Sequence, residues 1–238
     1  VGCVIVKHGN PCGVSIEKNG VDSFKSALKC DPISAFGGVV SFNFKVKENL
    51  ARELNKIFLE VIVANGYESS AIKILKKKKK LRIIDASKLK IGNTQSITSN
   101  FNSFLVQNID NKIFSNSNFK IVSKLKPSKQ MLKNLIFAFN VCRFVKSNAI
   151  VLTNGKSTIG IGSGQPSRLD SCDIAIKKMK KFKNYKTNDD IIAASDAFFP
   201  FVDGIEKLVQ SGIKAVIQPY GSIRDKEINS YANETKTI

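Results

Sequence analysis

Short apolar, β-branched runs alternate with amphipathic helical stretches along nearly the whole chain, and this alternation limits the fold more than any other feature. Residues 3–6 read as a buried strand. A Gly/Asn/Pro loop is expected from Gly9 to Gly13. Phe24, Ala27 and Leu28 have helical spacing, and Asp31-Pro32 should end that helix, because the residue before proline avoids the α region. Phe36-Gly37-Gly38 leads into a strand at Val39–Phe42. Leu50, Leu54, Ile57 and Phe58 mark a second helix. A strand at Glu60–Ala64, a helix at Ser70–Lys79 and a strand at Leu81–Asp85 follow. Such alternation implies crossover connections and a largely parallel α/β sheet.

The pattern lapses over 86–126, a Ser- and Asn-rich connector with one short strand expected near Phe104–Gln107. It resumes at Pro127, which suits a helix start because its missing N–H is not needed there. Leu132, Leu135, Ile136, Phe139, Cys142 and Val145 form a long apolar stripe. Ala149–Thr153 and Thr158–Gly162 flank Asn154-Gly155, a strong hairpin signal. A helix is expected over Arg168–Lys181, a buried strand over Ile191–Ala194 and a helix over Gly204–Gln210. A strand at Ala215–Gln218 and a helix at Arg224–Ala232 complete the series.

With 238 residues, 42% of them hydrophobic, the chain can bury a sizeable core. No apolar run approaches the roughly 20 residues that span a bilayer. The cysteines Cys3, Cys12, Cys30, Cys142 and Cys172 contain no C-x-x-C, which fits reduced thiols in a cytoplasmic setting. The first residues look like the inside of a strand and no initiator Met is present, as expected of a chain cut at both ends. The formal charge of +19 invites a polyanionic partner. Lysines dominate it, though, and aromatics are not interleaved with them as single-strand binding requires. Nucleic-acid binding is therefore disfavoured as the main role.

His8 is the only histidine, so multi-histidine metal sites are excluded. It follows a strand, precedes glycines, and neighbours Lys7, whose charge favours the neutral imidazole that a base needs. Asn10-Pro11-Cys12-Gly13 resembles part of the zinc-deaminase signature, but that signature needs Glu at position 10 and Cys at position 15. Asn10 and Ser15 stand there, so the zinc reading fails. Cys12 lacks a second histidine to activate it and reads as structural. Gly155-Lys156-Ser157 lacks the earlier glycine of a phosphate loop, since that position is Ile150. Gly164-Gln165-Pro166-Ser167-Arg168 opens a helix. Its N–H groups and Arg168 would hold a phosphate or carboxylate, or else form an ordinary cap with a surface arginine. Phe198, Phe199 and Phe201 form either core or a flat slot for a heteroaromatic ring. Asp203 reads as a helix cap.

Several motifs occur in order: Val6-Lys7-His8-Gly9-Asn10-Pro11-Cys12-Gly13, Cys30-Asp31-Pro32-Ile33-Ser34-Ala35-Phe36-Gly37-Gly38 and Val145-Lys146-Ser147-Asn148-Ala149-Ile150. Gly162-Ser163-Gly164-Gln165, Ser167-Arg168, the stretch from Ser195 to Gly204, and Gly221-Ser222-Ile223-Arg224-Asp225 follow. Together they resemble the AICAR transformylase part of the bacterial bifunctional purine-biosynthesis family. The resemblance implies two cytidine-deaminase-like α/β/α halves without zinc, here 1–98 and 127–238 joined by 99–126. It further implies formyl transfer from 10-formyltetrahydrofolate to the 5-amino group of AICAR, in a cytoplasmic homodimer with interfacial sites, and it admits a monovalent cation. By the same resemblance His8 takes part in proton transfer from the attacking amine, Lys7 stabilises charge on the formyl group, and Asn148 positions the substrate. Gly37, Glu60, Arg168 and Phe198 contact AICAR, with Glu60 at the end of a helix. Leu169, Asp203, Ser222 and Ile223 line the folate site.

The sequence departs from the family where Asn102-Ser103-Phe104 replaces a glycine-rich stretch and Tyr220 replaces a usual glycine. Two arginine-bearing family segments would lie before Val1 and beyond Ile238, and no cyclohydrolase domain is visible. An inactive homologue serving only as a phosphate- or nucleic-acid-binding or dimerisation module is the competing expectation.

Overall fold

The computed structural model describes residues 1–89, 92, 95–183, 185–186 and 189–238. The chain begins with a hairpin of β1 (Gly2–Lys7) and β2 (Asn10–Ile16). His8 and Gly9 alone make its turn, with φ of 52° and 74°. Such hairpin turns need positive φ at both central residues, and histidine is among the few side chains that tolerate it. The expected Gly9–Gly13 loop is therefore a two-residue turn followed by strand. Pro11 suggested a loop because it cannot donate to a ladder. Here it sits at a register shift, with Val6 opposite Pro11 and Ile5 opposite Gly13, where a missing donor is tolerated.

The helix α1 (Gly20–Cys30), capped by Asn19, leads to β3 (Gly38–Phe42). Next come α2 (Glu48–Leu54), β4 (Leu59–Ala64), α3 (Ser69–Leu75) and β5 (Arg82–Asp85). The second half starts with α4 (Lys129–Cys142), capped by Ser128, and the hairpin β8 (Ile150–Asn154) and β9 (Ser157–Gly162). It continues through α5 (Arg168–Phe182), β10 (Ile191–Ser195), α6 (Val202–Gln210), β11 (Ala215–Ile217) and α7 (Asp225–Glu234). Asp203 lies inside α6 rather than capping it: the cap position is Phe201, and Asp203 Oδ1 accepts the N–H of Gly204. Glu60 lies in β4, well after α2 ends at Leu54.

All strands but β6 and β7 join one nine-stranded sheet in the order β11-β10-β8-β9-β2-β1-β3-β4-β5. The expected parallel pairing holds in the two wings, β3-β4-β5 and β10-β11. The centre is antiparallel because each half opens with a hairpin and the halves join antiparallel through β2 and β9. The wings consequently run in opposite directions. One edge of the sheet receives the ends of β1, β9, β10 and β11 and the starts of β2, β3, β4 and β8.

Each half repeats hairpin, helix, strand, helix, strand. In both, the second hairpin strand carries glycine beneath the following helix. A Cβ at Gly13 would overlap the carbonyl oxygen of Ala27 in α1, and one at Gly162 that of Ser171 in α5. Phe24, Leu50, Leu54 and Leu75 fill the core between α1–α3 and the first-half strands. In the second half Leu135, Ala138 and Cys142 of α4 pack on one face of the sheet. Cys172, Ile176 and Met179 of α5, with Ile205 and Leu208 of α6, pack on the other, giving three layers.

Between the halves stands a separate antiparallel hairpin, β6 (Gln95–Asn100) and β7 (Ser103–Asn108), longer than the single strand expected. Its β6 strand has few β-branched residues, so the sequence pattern hides it. Ile97 lies opposite Val106 and Ser99 opposite Phe104, so Ile97, Phe104 and Val106 share one face. All three side chains are exposed. No helix of the described residues is long and apolar enough to cross a membrane.

Candidate active site

The edge that gathers strand ends from both halves also gathers the candidate residues. Lys7 and His8 stand where β1 ends. Gly37 precedes β3, and Glu60 is the second residue of β4. Asn148 precedes β8, and Arg168 and Leu169 open α5 at the end of β9. Phe198 follows β10, Asp203 begins α6, and Ser222 and Ile223 follow β11. Residues far apart in sequence share this edge because the antiparallel centre returns both halves to it, spread from β4 in one wing to β11 in the other.

Lys7 is half-buried, and its Nζ donates to the carbonyl of Phe36 at 2.6 Å. That bond ties the ammonium to the Ala35–Gly38 bend, next to Gly37. Gly37 has φ of 72°, a left-handed conformation that glycine adopts freely, and donates its N–H to Phe58. The rings of Phe36 and Phe58 pack 5.2 Å apart beside it. His8 is exposed at the tip of the turn, and Glu60 is exposed on β4.

Between β2 and β9 the ladder is short. Ser15 pairs with Ser157, and the Thr158 hydroxyl takes the next place by accepting the N–H of Val14 at 2.9 Å. Toward the site edge the strands separate and leave a cavity of about 370 Å³. Lys7, His8, Cys12, Asp31, Ser163 and Lys178 are among its walls. Asp31, buried, meets Lys178 of the other half at 2.9 Å. Burial pushes the Asp31 carboxyl up, yet hydrogen bonds from Lys178 and from the Ser34 N–H and hydroxyl outweigh it and hold it below the usual carboxylate range. Burial first, then the Asp31 charge, pushes the Cys12 thiol up. A protonated thiol fits the structural reading of Cys12.

Arg168 is turned inward and its side chain is only 10% exposed, unlike the surface arginine of an ordinary cap. One guanidinium nitrogen donates to Asp196 Oδ1 and to the Ser195 hydroxyl; the other donates to Asn148 Oδ1 at 2.7 Å. Asn148 Nδ2 donates to the carbonyls of Gln165 and Pro166. Asn148 thus has every polar atom of its side chain engaged by protein. Burial pushes the Asp196 carboxyl up, but hydrogen bonds from Ser147, Arg168 and the Ala149 N–H bring it below the ordinary range. Asp196 was missed in the sequence although it lies in the quoted motif after a buried strand. Nothing local signals that its partner is twenty-eight residues upstream.

The three phenylalanines divide. Phe199 is buried beneath Gly204, whereas Phe198 and Phe201 are exposed. The Arg224 guanidinium lies 5.0 Å from the Phe201 ring centre, drawing the Ser222–Arg224 segment toward the start of α6 and Asp203. Ile223 is fully exposed, Ser222 and Leu169 partly so. Among the described residues, no three His, Cys, Asp or Glu side chains cluster where they could hold a metal ion.

The model of the AICARFT/IMPCHase bienzyme family matches residues 1–178. A bifunctional purine biosynthesis protein PurH of Buchnera aphidicola from Schizaphis graminum is 44% identical over 237 residues, 98% of this chain and 44% of that protein. The PurH of Fusobacterium nucleatum is 42% identical over 225 residues, 94% of this chain and 44% of that protein. That of Petrotoga mobilis is 43% identical over 225 residues, 94% of this chain and 42% of that protein. The chain spans less than half the length of these relatives. Covered along most of its length by the family model, it belongs to the AICARFT/IMPCHase bienzyme family.

Proposed function

We propose that the full-length protein carrying this chain transfers the formyl group of 10-formyltetrahydrofolate to the 5-amino group of AICAR, in purine biosynthesis. The observation that carries this reading is the placement of Lys7, His8, Gly37, Glu60, Asn148, Arg168, Phe198, Asp203 and Ser222 along one and the same edge of the sheet. The amine nitrogen attacks the formyl carbon, the bond from that carbon to the folate nitrogen breaks, and the proton of the amine passes through His8 to the leaving nitrogen. An amine weakened by the neighbouring carboxamide needs alignment and a base more than a covalent intermediate. Exposed His8 is free to take the proton, and Lys7 brings positive charge to the cavity wall beside it.

Asn148 and Arg168 act in this reading mainly by shaping the substrate floor, since their polar atoms hold one another and Asp196. Exposed Phe198 offers a face to the imidazole ring, and Asp203 with Leu169, Ser222 and Ile223 forms the folate side. The repeated hairpin–helix–strand unit supports cytidine-deaminase-like halves at 1–98 and 127–238, with 99–126 between them. A two-stranded hairpin is marginal alone, and the exposed apolar face of β6–β7 supports a homodimer that covers it. The test is to supply the full-length protein with AICAR and 10-formyltetrahydrofolate and follow tetrahydrofolate and formyl-AICAR together. Equimolar appearance of both supports the reading; turnover of neither overturns it.

A further inference from the structure

Asp31 closes one turn of chain and opens the next. It is the C-cap residue of α1, and Pro32, with its fixed φ, suits the first position of a new helical turn. Asp31 caps that turn. Its Oδ1 accepts the Ser34 N–H at 2.9 Å, its Oδ2 accepts the Ser34 hydroxyl at 2.7 Å, and its carbonyl accepts the Ala35 N–H at 3.1 Å. The Ala35 carbonyl in turn accepts the N–H of Gly38 at 3.0 Å, where β3 begins. The Phe36–Gly37 peptide lies inside this bend and bridges two elements. Its carbonyl accepts from Lys7 Nζ at 2.6 Å, and its N–H donates to the Phe58 carbonyl at 2.9 Å. Among the described residues, that carbonyl is the one hydrogen-bond partner of the Lys7 ammonium. The place of the Lys7 charge therefore depends on the bend, and the bend begins at the Asp31 side chain. Asp31 is also the one carboxylate among the walls of the cavity that Lys7 and His8 line. Lys178 pairs with its Oδ2 at 2.9 Å, so Lys7 is held by a neutral carbonyl and its charge is not offset.

We infer that Asp31 is a positioning residue, which as cap of the 31–38 bend sets where the Phe36 carbonyl holds Lys7. The inference rests on the formyl-transfer reading, in which the Lys7 charge stabilises the transferring group. Apart from Lys178, which neutralises Asp31, it involves groups of the first half only. A displacement of about 1 Å at a reacting group costs on the order of a hundredfold in rate. A cap that orients the carbonyl beneath Lys7 is felt in the rate even though it touches no substrate.

Asp31→Asn and Asp31→Ala in the full-length protein test it. Both lose the ion pair with Lys178, but asparagine keeps an acceptor for the Ser34 N–H and so keeps the cap. The alanine variant is expected to lose about tenfold to a hundredfold in kcat, and the asparagine variant less than about threefold. KM for AICAR should change less than about threefold in either, since the loss falls on the transition state. In a Lys7→Met background Asp31→Ala should lower kcat no further, because a residue that acts through Lys7 then has nothing to position. Wild-type kcat in the alanine variant overturns the inference. So does an asparagine variant as impaired as the alanine one, or a full further loss in the Lys7→Met background. If the alanine variant does not fold, Ser34→Ala takes its place. It removes the hydroxyl bond to Oδ2, leaves the ion pair, and should lose about threefold to tenfold in kcat; wild-type kcat there overturns the inference. If the wild-type protein transfers no formyl group, the function reading fails first and takes this inference with it; an active wild type with an unaffected alanine variant sinks the inference alone.

Discussion

Arg168 donates to Asn148 Oδ1 at 2.7 Å while its other nitrogen holds Asp196, so one inward-turned guanidinium ties the segment before β8 to the segment after β10. Removing it leaves the partly buried Asp196 carboxylate without its partner. Arg168→Ala should therefore cost about 3 kcal/mol or more in unfolding free energy, measured by denaturant titration. Arg168→Lys should rescue little of this, because an ammonium cannot reach Asp196 and Asn148 together as the planar fork does.

The turn conformation of His8 separates its structural and chemical roles. His8→Ala should lower the formyl-transfer rate of the full-length protein by at least about a hundredfold, as expected for a lost general base. Asparagine tolerates the positive φ at this position, so His8→Asn should keep the melting temperature of the wild type and still be inactive. Near-normal turnover by either variant, assayed at substrate saturation, would refute the role of His8.

Acid should act on two carboxylates, buried Asp31 and partly buried Asp196. Asp31 and Asp196 are both held below their ordinary range in the folded protein. The unfolded chain, with carboxyls near about 3.9, then binds protons first as pH falls. Their stabilisation is complete above that value and is lost as pH drops through the lower folded values. Melting temperatures from pH 6 to below pH 3 should show that loss, and Asp31→Asn should make the acid limb shallower. Equal slopes for the variant and the wild type would contradict the assignment.

The β6–β7 hairpin gives a third kind of test. Phe104→Asp places a charge on the face shared with Ile97 and Val106. If that face is covered by a second copy, sedimentation of the full-length protein should shift from dimer toward monomer with the rest of the fold intact. An unchanged dimer would place the interface elsewhere.

Much of the fold was legible because periodicity is local. The buried strands at Val39–Phe42 and Ile191–Ala194, and the helices led by Phe24 and Leu135, appear within a residue or a few of their expected places. The direction of the strands was legible in part. Asn154-Gly155 signalled the β8–β9 hairpin, whereas the His8-Gly9 turn read as the head of a loop and the antiparallel joining of β2 to β9 has no local signal. The site was legible where a residue has unusual chemistry, as in the unique His8. It was not legible where a residue matters through a distant partner. Asp31 read as a helix breaker until Lys178 of the other half was beside it, and Asn10 read as part of a loop.

In the formyl-transfer reading proposed above, the seam between β2 and β9 divides the chain into parts that each hold an incomplete set of tools: the proposed base on one side and Asn148 with Arg168 on the other. The two parts are joined in sequence through 86–126. A break there should thus behave as a split enzyme does. Two fragments of the full-length protein, each inert alone, should complement on mixing, and the strength of that complementation would measure the seam itself.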